Sequence, residues 1–178
     1  MNKHIEQLYQ NIYNLANIWK EHGLQHVVMA PGSRSAPLAL TFIRHPYFEH
    51  FIFNDERSAA YAALGMAKST KKPVVLISTS GTASVNFAPA ITEAYHQGLP
   101  LLVLTADRPD EWKDQYVNQT INQMGLFEPN ISGSFQININ SSKVDTEWHA
   151  YRTLNEAILK ASKPGPVHIN VPIREPFY

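Results

Sequence analysis

Apolar side chains at Ile5, Leu8, Ile12, Leu15 and Trp19 recur at steps of three and four, and Gly23 stands where a helix C-cap belongs. The chain therefore opens on a helix. Residues 26–30 (HVVMA) form a short β-branched, apolar run stopped by Pro31-Gly32, and 36–44 reads as a helix after a Ser-rich turn. The alternation then repeats: strand 51–53 with helix 56–69, strand 74–78 with helix 83–97, and strand 101–106 with a polar segment. It ends with strand 135–139, a helix from about 147 to 162, and strand 167–171. Strands apolar on both faces and separated by helices predict a parallel sheet covered on two sides, an open doubly wound α/β fold. Segment 110–127 is amphipathic and amide-rich, and is expected to be a helix bordering one edge of the sheet.

Three strands end in polar clusters: Pro31-Gly32-Ser33-Arg34-Ser35, Ser78-Thr79-Ser80-Gly81-Thr82 and Thr105-Ala106-Asp107-Arg108-Pro109. Ligands of open α/β sheets bind at the carboxyl ends of strands, so these clusters are expected along one rim. Asn54-Asp55-Glu56-Arg57 also follows a strand and opens a helix, where Asp55 is a natural N-cap and Glu56 complements the helix dipole or faces a ligand. In the first cluster Gly permits close backbone approach, Ser offers a hydroxyl, and Arg presents a planar fork suited to carboxylate. Ser80-Gly81-Thr82 precedes a helix but lacks the Lys and glycine spacing of a phosphate-binding loop.

Composition narrows the classes. With 178 residues, 44% of them hydrophobic, the chain is expected to form one domain over 1–178. Fifteen basic residues balance fifteen acidic ones, so no global field draws it to nucleic acid or to an anionic membrane. No apolar run reaches the roughly 20 residues a membrane span requires, and His4, Glu6 and Gln7 interrupt what a secretory signal would need, so a cytoplasmic location is expected. The absence of Cys removes disulfides and thiolate chemistry. Eight histidines form no His-Glu-x-x-His pattern, no metal ligands are assigned, and neither Gly-x-Ser-x-Gly nor a dinucleotide-binding Gly-x-Gly-x-x-Gly occurs.

Taken in order, APGSRSAPL (30–38), FNDERSAAYAALGMAK (53–68), STSGTASVNFAPAITEA (78–94), TADRPDEW (105–112), NQTINQMGLF (118–127) and GPVHINVPIREPFY (165–178) resemble one family across essentially the whole chain. The family is the 2-succinyl-5-enolpyruvyl-6-hydroxy-3-cyclohexene-1-carboxylate synthases, the thiamine-diphosphate (thiamine pyrophosphate) transferases of menaquinone biosynthesis. The resemblance implies the pyrimidine-binding (PYR) domain of an enzyme that decarboxylates 2-oxoglutarate on thiamine diphosphate and adds the product to isochorismate. Glu56 matches the glutamate that hydrogen-bonds the pyrimidine ring nitrogen, a task best done in a partly apolar pocket where the carboxyl holds its proton more tightly. Ser33, Arg34, Arg108, Asn118 and Gln119 match positions lining the isochorismate side. Ser80, Gly81 and Thr82 are expected near the cofactor, chiefly through backbone, with Asn86 holding the following helix.

In the family a Gly-Asp-Gly segment and a later Asn hold Mg²⁺ or Mn²⁺, and none of the eight glycines here precedes Asp. The metal ligands are thus expected on a diphosphate-binding domain outside these residues, as is a central domain. Dimers or tetramers are expected for the whole protein, and no catalysis from this part alone. The alternatives are the PYR domain of another thiamine-diphosphate decarboxylase or synthase, and a stand-alone non-catalytic binding module.

Overall fold

The computed structural model describes residues 3–177; Tyr178, which closes the last motif, lies outside the described residues. The elements are α1 (Lys3–Glu21), β1 (His26–Met29), α2 (Ala36–Arg44), β2 (Glu49–Ile52), α3 (Glu56–Thr70), β3 (Val74–Ser78), α4 (Thr82–Val85), α5 (Ala88–Gln97), β4 (Leu101–Asp107), β5 (Gly133–Gln136), α6 (Val144–Ala161) and β6 (Val167–Pro172). The strands make a six-stranded sheet of order β2-β1-β3-β4-β6-β5 with every pairing parallel. The doubly wound α/β architecture read from the strand pattern is the one observed.

Alternation along the central strands divides the core. Val75 and Ile77 of β3 join Leu102 and Leu104 of β4 under Leu8, Ile12, Leu15 and Trp19 of α1, Phe42 of α2, and Leu154 and Ile158 of α6. Val74, Leu76, Leu101 and Val103 face the opposite way, against Ala59, Ala60, Ala63 and Ala67 of α3 and Ala90, Ile91 and Ala94 of α5. Trp19 stacks on Phe42 with ring centroids 4.8 Å apart. Small side chains on α3 and α5 let both helices lie close to the sheet.

Strand β6 breaks the pattern: Val167, Ile169 and Val171 join the first layer, while His168 and Asn170 occupy the intervening positions, fully buried. On that second face Gln123 bonds Asn170, and Phe127 sets its ring edge-on to His168 at 5.0 Å.

Two expectations are corrected. The helix expected at 83–97 is two helices, α4 and α5. Pro89 sits in the first turn of α5; its ring has no N–H to donate and would clash with the carbonyl four residues back. Segment 110–127 is not a helix either: after a 3₁₀ turn at Asp110–Trp112 it runs irregularly, with left-handed residues at Asp114, Tyr116, Gln119 and Gly125. Such residues terminate helices. Smaller shifts move β2 to Glu49–Ile52, β5 to Gly133–Gln136 and the start of α6 to Val144. No helix among the described residues is long and apolar enough to cross a membrane.

Candidate functional site

Because β1, β3 and β4 are neighbours, the loops after them meet at one rim, with the segment after β6 beside them. Gly32 owes its identity to this crowding: a Cβ there would lie 2.4 Å from Cβ of Thr79 in the adjoining loop. The close approach is therefore to the chain itself. Ser33 is exposed and accepts the Ala36 amide through its carbonyl.

Arg34 is 5% exposed and held from several sides. Its Nη1 donates to the Ile173 carbonyl at 2.9 Å and its Nη2 to Glu175 Oε1 at 2.6 Å. Its guanidinium lies 5.1 Å from the Phe177 ring centroid and 5.7 Å from that of Trp112. Burial, and then the nearby Arg108 guanidinium, lower its proton affinity from the ordinary arginine range, against the pull of Glu175.

Arg108 faces the same carboxylate oxygen, its Nη1 4.0 Å from Glu175 Oε1. Its Nη2 donates to the Asn118 carbonyl at 3.2 Å and to Asn118 Oδ1 at 3.3 Å, and Trp112 lies 5.7 Å from its guanidinium. The Arg108 Nε is buried without a hydrogen-bond partner. The rim thus brings Arg34, Arg108 and Asn118 together, and adds Glu175 and Trp112, which residue types alone did not single out. Glu175 lies in the Arg174-Glu175-Pro176 run, but a lone glutamate 141 positions from Arg34 carries no local signal of that pairing.

The Ser80-Gly81-Thr82 turn is tied beneath the 118–123 segment. Ser80 Oγ donates to the Gln119 carbonyl at 3.1 Å, and the Gly81 amide donates to Gln123 Oε1 at 2.8 Å. A Cβ on Gly81 would stand 2.7 Å from Gln119 backbone, and its φ of 77° already demands glycine. Thr82 is exposed at the start of α4, where Asn86 Nδ2 donates to its carbonyl at 3.1 Å.

Gln123 is the residue sequence reasoning missed: of the two Asn-Gln pairs in 118–123, the second supplies the buried amide. Its Nε2 donates to the Ala106 carbonyl at 3.1 Å and to Asn170 Oδ1 at 2.8 Å. Asn170 Oδ1 also accepts from Thr105 Oγ1 at 2.9 Å, and its Nδ2 donates to Asp107 Oδ2 at 2.8 Å. Asp107 in turn accepts the Arg108 amide at 2.7 Å and pairs with Lys113 at 3.0 Å. Burial opposes the Lys113 charge, but Asp110 and Asp107 outweigh it and raise its proton affinity. The only signal for this network was the apolar–polar alternation of VHINV in β6.

Glu56 stands apart. Asp55 caps α3, accepting the Ser58 amide at 2.7 Å, and this bond chiefly holds the Asp55 carboxyl below its usual range. The next residue, Glu56, is half-buried, and no described residue hydrogen-bonds or ion-pairs its carboxylate. It follows β2, three strand positions from β4, so about 14 Å of sheet at ~4.8 Å per strand separates it from the Arg108 side of the rim. Among the described residues no three His, Cys, Asp or Glu side chains cluster to hold a metal ion.

Residues 14–126 match the family model described as the thiamine pyrophosphate enzyme, N-terminal TPP binding domain. The chain belongs to this family. As a thiamine pyrophosphate enzyme N-terminal domain, it is also 51% identical over 171 residues to a 2-succinyl-5-enolpyruvyl-6-hydroxy-3-cyclohexene-1-carboxylate synthase of Cytophaga hutchinsonii, covering 95% of this chain and 31% of the relative. It is 43% identical to the same-named protein of Porphyromonas gingivalis over 92% of the chain and 29% of that relative. With that of Staphylococcus epidermidis it shares 41% identity over 98% of the chain and 32% of the relative. The chain thus spans about a third of the length of the curated relatives it matches. The Glu56 carboxylate and the paired arginines thus lie on the rim of a thiamine pyrophosphate enzyme domain, and the buried Gln123–Asn170–Asp107 network lies beside Arg108 on the β4–β6 side.

Proposed function

We propose that the chain is the pyrimidine-binding part of a 2-succinyl-5-enolpyruvyl-6-hydroxy-3-cyclohexene-1-carboxylate synthase, which decarboxylates 2-oxoglutarate on thiamine diphosphate and joins the remaining four carbons to isochorismate. The observation that carries this is 41–51% identity over 92–99% of the chain to relatives all bearing that name. In this reading the whole 178 residues are one pyrimidine-binding domain of a soluble, cytoplasmic homo-oligomer, a dimer or tetramer. Mg²⁺ or Mn²⁺ and the diphosphate are held by parts of the protein beyond it.

The residues present fit the group. A half-buried, uncommitted carboxylate suits a ligand that brings its own hydrogen-bonding ring nitrogen, which is what the pyrimidine of thiamine offers. Glu56 then shares a proton with that nitrogen and sets the tautomer of the ring. Bound thiamine diphosphate supplies the electron sink for the decarboxylation. Ser80, Gly81 and Thr82 shape the wall beside it, Ser80 and Gly81 through the bonds that fix the turn to Gln119 and Gln123. Arg34 and Arg108 supply the positive charge that orients a carboxylate of isochorismate, with Ser33, Asn118 and Gln119 lining that side.

The test is an assay of the full-length protein for isochorismate consumption driven by 2-oxoglutarate. Activity is expected, with a loss of about a hundredfold or more in Glu56→Gln. Near-full activity of that variant, or a protein that ignores isochorismate and turns over pyruvate, overturns the reading.

A further inference from the structure

Two guanidiniums at the rim share one carboxylate. The same oxygen, Glu175 Oε1, lies 2.6 Å from Arg34 Nη2 and 4.0 Å from Arg108 Nη1. The second distance is beyond a hydrogen bond, and the Arg108 Nε, buried, has none. The neighbouring acids are committed elsewhere: Asp107 and Asp110 to Lys113, and Glu111 to Arg174. Two positive charges therefore face a single negative one, and the excess calls for an anion.

The three partners differ in how firmly they are held. Arg34 is bound by the Ile173 carbonyl and flanked by Trp112 and Phe177, and Arg108 is bound by Asn118. The Glu175 side chain is 49% exposed, and its Oε2 makes no hydrogen bond among the described residues. The carboxylate is the member free to move out. A neutral molecule taking its place would strand a buried guanidinium, which is costly, whereas a second carboxylate restores the pairing.

We propose that Glu175 is the internal counter-carboxylate of the Arg34–Arg108 pair, seated where a ligand carboxylate bridges the two guanidiniums, so that binding at this rim exchanges one carboxylate for another. Glu175 then sets selectivity, admitting small carboxylate anions and rejecting neutral molecules of the same shape. The ligand class rests on the isochorismate reading above; the exchange itself requires only a small organic carboxylate.

Calorimetry on the full-length protein without thiamine diphosphate tests it, with isochorismate and succinate as probes. Glu175→Gln keeps an oxygen for Arg34 and removes the competing charge, so both probes are expected to bind about five- to tenfold tighter. Unchanged or weaker binding overturns the proposal. Should that variant not fold, Glu175→Asp keeps the charge beside Arg34 on a shorter arm and is expected to tighten binding about threefold; parental affinity there overturns the proposal equally. Succinate tightening while isochorismate does not bind supports the exchange and removes the isochorismate reading instead.

Discussion

The two ends of the rim solve opposite problems. On the β4–β6 side, Thr105, Asp107, Gln123, His168 and Asn170 are buried and cross-linked, each polar group meeting another from the same chain. On the β2 side, Glu56 is partly sheltered and bonded to nothing described. A buried polar group left unpaired costs roughly 1–3 kcal/mol, so the first arrangement is what stability demands. The second gains nothing for stability, and a carboxylate kept so is available to a partner from outside the chain. The arginine pair lies between these extremes, with one guanidinium satisfied and the other incompletely so.

The comparison breaks first at Asn170. Replacing it with Leu removes at once the bonds that Thr105, Gln123 and Asp107 make to its amide, and a stability loss of about 3–4 kcal/mol is expected from chemical denaturation. A loss below about 1 kcal/mol would mean that the network is not the restraint its geometry describes. Glu56→Gln should do the reverse, leaving the denaturation midpoint where it was while the full-length enzyme loses about a hundredfold in rate, equivalent to about 2.7 kcal/mol. A Glu56 variant that loses stability instead would make the carboxylate structural and erase the contrast.

A pH titration sharpens the wired side. Burial depresses His168 to about 3 in the folded chain from 6.5, where Thr105 and Ser134 bond its two ring nitrogens. Below pH 6.5 the unfolded chain takes up a proton that the folded chain refuses. Stability therefore falls as the pH drops through the window from 6.5 toward 3, by roughly 1.6 kcal/mol between pH 6.5 and 5. Burial, with Lys20 nearby, lowers His45 in the same direction. His168→Gln should flatten most of this slope in denaturation curves at pH 5, 6 and 7, and a parental slope in that variant would show that His168 is not the group responsible. The smallest effect is expected at Arg174→Ala, which removes only the exposed pair with Glu111 and should leave the melting temperature unmoved.

Most of the fold was legible along the chain. Periodicity placed all six strands and the helices, with α2 and β3 at their observed limits, because burial on one or two faces imprints a repeat of 3.6 or 2. Where periodicity misled, at 83–97 and 110–127, Pro89 and the left-handed residues overrode it. Motif order likewise named the family and pointed to Glu56, Arg34 and Arg108. Tertiary structure alone decided which polar groups meet: Gln123 rather than Gln119 as the buried amide, Gly32 and Gly81 yielding to neighbouring loops, and Glu175 reaching Arg34 across 141 positions. Local sequence encodes which face of an element is dry. Which donor finds which acceptor depends on loops brought together by strand order, and no repeat along the chain records that.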